Sequence, residues 1–300
     1  RNIDYIHFNL LRLSRGKCMS AIQELVKEIK NLKPIPAVIN QILEIIDKSD
    51  SSMADVANVI QYDPAVTASV LRTCNSAYFG LRTPAESIKD AVSLLGLDQI
   101  LEIVLIKSGA KVLSKEQKGY GLHEGAMWKN SVASALISKQ IAKKLSMENK
   151  NTIFTAALLK DIGKTVLDRF VKNSFGKISG LVVEEGLSFR EAEKKIIGVD
   201  HTELGGMIAK MWKFSPRMVK IIRHHHLTDP SMAKDKEIAI VYLADCICMM
   251  IGIGVGQDGL VCQFNDQVRK ELGMDADDIA EIITEFSVNM QKVEDLLKVV

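Results

Sequence analysis

The sequence predicts an all-α fold on three observations. Apolar residues recur at helical spacing almost throughout, no segment sustains a two-residue alternation, and capping chemistry stands ahead of the apolar runs. The first helical patterns are Ile22, Leu25, Val26, Ile29 and Leu32, then Val38, Ile39, Ile42, Leu43 and Ile46. Thr83-Pro84-Ala85-Glu86, Ser188-Phe189-Arg190-Glu191 and Asp200-His201-Thr202-Glu203 each set an N-cap oxygen three residues before a Glu. Each therefore predicts a capping box, in which the cap accepts an orphan backbone N–H and the Glu reaches back. Pro64 after Asp63 and Pro216 after Ser215 open further helices, because the first helical position needs no N–H.

Residues 114–122 are polar and glycine-rich between two apolar stretches, which marks a boundary, and the second half starts near Gly125. Gly252–Gly259 separates an apolar helix at Ile238–Met250 from a C-terminal piece, where Asp275 and Asp278 open an amphipathic helix through Glu285. The expected organisation is an N-terminal extension or linker (1–17), two helical subdomains (18–118 and 119–260) and a C-terminal helical extension (261–300). In the extension Tyr5, Ile6, Phe8, Leu10 and Leu11 could equally dock onto the body.

Composition narrows the function classes. A chain of 300 residues buries enough apolar surface to fold without disulfides or a structural metal. Of the five cysteines (Cys18, Cys74, Cys246, Cys248, Cys262), the only close pair is a C-x-C inside an apolar stretch, which predicts reduced thiols and a cytoplasmic protein. A balance of 39 basic against 37 acidic residues carries no electrostatic footprint for nucleic acid. Ile238–Ile253 contains Asp245 and is too short to cross a bilayer, so no membrane insertion is expected.

The first half carries an ordered set: Leu32-x-Pro34-x-Pro36, Asp63-Pro64, Leu71, Asn75-Ser76-Ala77, Gly80, then Ile88, Ala91, Leu94, Leu95 and Gly96. In order and spacing it resembles the HDOD family, the HD-related output domain of bacterial signalling proteins. The resemblance implies an N-terminal helical subdomain followed by an HD-like helical subdomain. Read as residues alone, the prolines set entry angles, Gly80 and Gly96 suit positive φ after helices, and Asn75 can satisfy backbone groups at a turn. Tyr78 and Phe79 fit either a docking surface or the core.

HD phosphohydrolases hold divalent metals with a helix-borne His, a His-Asp doublet and a distant Asp, and the bound water becomes the nucleophile. Trp128-Lys129-Asn130-Ser131 resembles the W-x-H-S helix of such enzymes, with Asn130 at the His position. Ala157-Leu158-Leu159-Lys160-Asp161-Ile162-Gly163-Lys164 resembles A-L-L-H-D-I-G-K, with Lys160 at the first ligand. The resemblance leaves Asp161, His201, His225, His226 and Asp245 as a partial or vestigial metal set, with His224 open as an alternative to the His225–His226 pair. His224, His225 and His226 stand at the expected C-terminal end of a helix starting at Pro216, where a capping role is also reasonable. Asn is a weak neutral ligand and a protonated Lys offers no lone pair, so Lys160 is expected to neutralise Asp161 or Asp245 in place of a metal.

These readings imply no catalytic residues and no required cofactor, with a divalent metal at the residual site the one ion the pattern leaves room for. The expected function is a non-catalytic regulatory module acting through other signalling proteins or by ligand sensing, a nucleotide second messenger included. The alternative is a metal-dependent phosphohydrolase or phosphodiesterase with an atypical site.

Overall fold

The computed structural model describes residues 19–32, 41–42, 45, 53–61, 63–76, 78–259 and 265–298. The extension 1–17, Cys18, Cys262, Pro34, Pro36, Ala77 and the apolar positions Val38, Ile39, Leu43 and Ile46 lie outside them. The fold is all-α, with no strand among the described residues beyond an isolated Gln117–Leu122 bridge. Its principal helices begin with α1 (Met19–Asn31), α2 (Met53–Gln61), α3 (Pro64–Cys74), α4 (Ile88–Leu95), α5 (Leu97–Leu113), α6 (Ala126–Lys144) and α7 (Lys150–Leu159). They continue with α8 (Lys164–Glu185), α9 (Phe189–Ile197), α10 (His201–Met211), α11 (Pro216–His224), α12 (Lys236–Met250), α13 (Asp266–Leu272) and α14 (Ala276–Lys298). No helix among the described residues is long and apolar enough to cross a membrane.

The chain divides into two compact units, one of residues 1–33 and 112–282, the other of 34–111 and 283–300. In the latter, α2, α3 and α4 pack on one another through Val56, Ile60, Val70, Cys74, Ile88 and Ala91. Pro64 opens α3 as expected, with Asp63 Oδ1 accepting the Val66 N–H at 3.1 Å. The capping box expected at Thr83 does not form. The Asn75 amide donates to Ala85 O at 2.9 Å and accepts from Ala85 N at 2.8 Å, which keeps Ala85 out of a helix. The helix starts later, with Ser87 as its cap, accepting from Asp90 N at 3.1 Å. Gly80 and Gly96 adopt φ of 56° and 81°, and Tyr78 and Phe79 are half-buried against each other with ring centroids 4.5 Å apart.

The larger unit is organised on α6. Its buried Ser131, Ala133, Ser134, Ala135, Ser138 and Ala142 are thin side chains that let α7 and α12 pack closely against it. Helix α12 is buried from Ile238 through Cys248, apolar around its whole circumference except for Asp245. Helix α1 packs on α8 with Leu25, Val26 and Ile29 turned inward. Ser188 and Glu191 form the complete capping box of α9. Asp200 caps α10 by accepting from Thr202 N and Glu203 N, but Glu203 does not reach back; it pairs with Lys194 at 2.6 Å instead. Asp275 and Asp278 exchange backbone-to-carboxylate bonds of 2.9 Å at the start of α14, which runs to Lys298, past the expected Glu285.

Candidate functional site

The site is assembled around the turn between α7 and α8, which carries Lys160 and Asp161. Gly163 in that turn explains how a distant helix reaches it: a Cβ there would lie 2.0 Å from the His201 carbonyl oxygen and 2.9 Å from Gly205 N. Only a glycine lets the first turn of α10 pack directly onto this backbone, which brings His201 beside Asp161. Helix α11 packs on α10 and ends at the buried His225. The loop at 252–259 is seated by Gly254, where a Cβ would come within 2.2 Å of Ala126 O, and by Asn130, whose Nδ2 donates to Ile253 O at 3.0 Å.

Two buried ammonium groups dominate the electrostatics. Lys160 Nζ binds Asp161 Oδ2, lies 2.9 Å from Asp245 Oδ1 and donates to Asn130 Oδ1 at 2.8 Å. Lys164 Nζ lies 2.7 Å from Asp161 Oδ1 and 2.6 Å from Asp258 Oδ2. Burial disfavours charge on Lys160, yet Asp161 and Asp245 hold it above its ordinary range. Burial also opposes the Asp161 charge, but Lys160 and then Lys164 hold that carboxyl well below the usual range. Asp245 is raised, burial outweighing its share of Lys160.

The imidazoles are held in defined tautomers. His201 Nδ1 lies 2.7 Å from Glu193 Oε2, whose other oxygen accepts from the Tyr120 hydroxyl at 2.5 Å. His225 Nδ1 lies 2.8 Å from Ile222 O. A carboxylate and a carbonyl only accept, so both Nδ1 atoms carry hydrogen and, in a neutral ring, Nε2 keeps its lone pair. Both Nε2 atoms are buried without a hydrogen-bond partner among the described residues, 3.9 and 3.8 Å from Asp161 Oδ1. Burial pushes His225 down to about 3 and, with His225 and His201 nearby, drives His226 well below its ordinary value. His201 is raised, because Glu193 overcomes the burial.

One ligand atom from each of Asp161, His201, His225 and His226 can be drawn within 4.8 Å of the others, a grouping that could hold a metal ion. The three imidazoles are donors that suit a divalent cation. The carboxylate does not, because both of its oxygens carry ammonium groups that a cation would have to displace, so the donor set as folded does not fit the metal and no chemical step follows from one. Asp245 stands on the Lys160 side of the site, with Oδ2 3.9 Å from His226 Nδ1.

The sequence profile of the HDOD domain matches residues 32–228. The chain belongs to the HDOD family. A crystal structure of an HDOD domain protein of unknown function from Geobacter sulfurreducens is similar at 26% identity and a TM-score of 0.70, covering 92% of this chain and 96% of that one. A protein from Marinobacter aquaeolei VT8, provisionally named a signal transduction protein, shares the fold at 17% identity and a TM-score of 0.73, covering 97% of this chain and 68% of that one. A protein from Shewanella amazonensis SB2B, provisionally named a phosphohydrolase, does so at 22% identity and a TM-score of 0.64, covering 92% and 97%. An uncharacterized protein of Treponema pallidum is 21% identical over 199 residues, 66% of this chain and 38% of that longer protein.

In this HDOD chain His225 and His226 share the cluster, their ring centroids 4.3 Å apart, while His224 faces away to Thr228 Oγ1 at 2.5 Å. Four further site residues emerge only in three dimensions: Tyr120, Lys164, Glu193 and Asp258. Lys164 belonged to the quoted motif, so its position was visible although its role was not. Glu193 had no signal, since it lies in no motif, and yet α9 buries this carboxylate completely.

Proposed function

We propose that this HDOD chain is a non-catalytic regulatory module of bacterial signal transduction that works in the cytoplasm by contacting other signalling proteins or by sensing a small ligand. The observation that carries the reading is the Lys160 ammonium, fully buried between Asp161 and Asp245 and bonded to Asn130. It supplies from within the chain the positive charge that a metal supplies in an HD hydrolase, and it has no labile water to activate. Asn130 supports the same reading: its amide accepts from Lys160 and donates to Ile253 O, so it ties the substituted site to the loop at 252–259.

A metal-dependent phosphohydrolase is the second reading, favoured by the convergence of Asp161, His201, His225 and His226. Elemental analysis of the purified protein, followed by assays with Mn²⁺ against a phosphomonoester and cyclic dinucleotides, separates the two. The first reading expects substoichiometric metal and no turnover. Mn²⁺-dependent release of phosphate from the monoester, or opening of a cyclic dinucleotide to its linear form, that disappears in Asp161→Ala establishes the second.

A further inference from the structure

The loop 252–259 covers the charged centre of Lys160, Asp161, Lys164 and Asp245 with very little side chain. Four of its eight residues are glycine, and Ile253, 5% exposed, is the one buried apolar side chain it contributes. Its backbone lies hard against the body instead: a Cβ at Gly254 would be 2.2 Å from Ala126 O, and one at Gly256 2.4 Å from Tyr120 O. Gly254 and Asp258 of the loop, with Asn130, Asp161, Lys164 and Asp245 facing them, line a space of about 10 Å³, at the lower limit for a single water. Asp258 also stands in the wall of a larger cavity of about 290 Å³ beside His201 and His226, so its carboxylate divides that cavity from the charged centre.

Such a loop is costly to order. Glycine loses more backbone freedom on folding than any other residue, and one buried isoleucine offsets little of that loss. What holds the loop closed is polar. Asp258 Oδ2 lies 2.6 Å from Lys164 Nζ, with both side chains at least nine-tenths buried, and Ile253 O accepts from Asn130 Nδ2 at 3.0 Å. Segments with few buried apolar contacts open locally, well before a domain unfolds. Two polar contacts therefore set the balance between a closed loop and an open one.

We propose that the loop 252–259 is a lid over the charged centre, latched by the Lys164–Asp258 ion pair and the Asn130–Ile253 hydrogen bond, and that its opening joins the larger cavity to Asp161 and the buried lysines. The lid stands on geometry, and its use rests on the non-catalytic reading: without turnover, closed and open lid are the two states through which a regulatory module can report.

Hydrogen exchange and lysine acetylation of the full chain, both read by mass spectrometry, test it. Asp258→Asn removes the charge from the latch, and Gly254→Ala forces the loop off Ala126 without altering a charged group. The protected loop amides are those of Ile253 and Gly259, which donate to Cys248 O and Gly256 O at 2.9 and 3.2 Å. In each variant they should exchange roughly ten- to hundredfold faster than in wild type, while the amides of α6 and α12 keep their rates. An acetylating reagent that labels the exposed Lys172 and Lys177 throughout should reach Lys164 only in these two variants, and Asp258→Glu, which keeps a carboxylate, should stay closer to wild type. Should Gly254→Ala fail to fold, Asp258→Asn decides alone. Unchanged loop exchange, acceleration spread equally over α6 and α12, or Lys164 labelled in wild type as readily as Lys172 overturns the lid and leaves the non-catalytic reading intact. Mn²⁺-dependent turnover overturns that reading instead and leaves the lid standing.

Discussion

The turn at Asn75–Ala85 and the turn at Lys160–Asp161 both rest on polar side chains, the first at the surface and the second buried, and they do so differently. Asn75 exchanges two hydrogen bonds with a single backbone unit and leaves nothing over. Lys160, Asp161, His201 and His225 satisfy one another only in part: two ammonium groups neutralise the carboxylates, while two imidazole Nε2 atoms stay unpartnered among the described residues. A polar group whose bonds are all made locally shapes the backbone. A cluster whose bonds remain incomplete retains capacity for something else, and that contrast separates the structural motif from the candidate site.

The largest expected effect breaks the comparison at Lys160. Both Lys160→Ala and Lys160→Met leave Asp161 and Asp245 without their shared ammonium, and each should destabilise the larger unit by about 3–5 kcal/mol in denaturant titration. Equal stability of wild type and both variants would remove the claim that the lysine replaces a cation.

Acid should sharpen the contrast next. The unfolded His225 titrates near its ordinary value, whereas the folded ring is pushed down to about 3. Its contribution to stability is therefore present above the unfolded value and is lost as pH falls through the window between the two. Between pH 6.5 and 5 that loss is about 2 kcal/mol, with His226 acting in the same direction. His201, raised by Glu193, opposes it: its contribution is complete below the unfolded value and fades as pH rises through the folded one. Tm should consequently fall on acidification, and His225→Gln should flatten the slope; an unchanged slope would show that His225 is not held neutral. Asn75 titrates nowhere, so Asn75→Ala should lower stability by about 1 kcal/mol, by the same amount at either pH. A pH-dependent loss there would erase the distinction between the two turns.

Much of the candidate site was legible because several of its residues lie in short contiguous motifs. Asn130 and Lys160 stood out against W-x-H-S and A-L-L-H-D-I-G-K, and the pairing of Lys160 with carboxylates followed from the cost of leaving any of them buried alone. Tyr120, Glu193 and Asp258 were not legible, because each reaches the site from another element and carries no local mark of burial. The box at Thr83 shows the reverse error. Its spacing suits a cap, but Asn75, ten residues earlier, takes both polar groups of Ala85.

Periodicity, proline placement and cap residues were enough by themselves to determine an all-α chain and several of its helix starts, since each acts within one or two turns of backbone. Which imidazole nitrogen is left with a lone pair, which lysine meets which carboxylate, and where a cavity opens beside them were decided only by the tertiary structure. Those outcomes depend on groups many residues apart that share one low-dielectric space, where a separation of a few ångströms sets both charge state and hydrogen bonding.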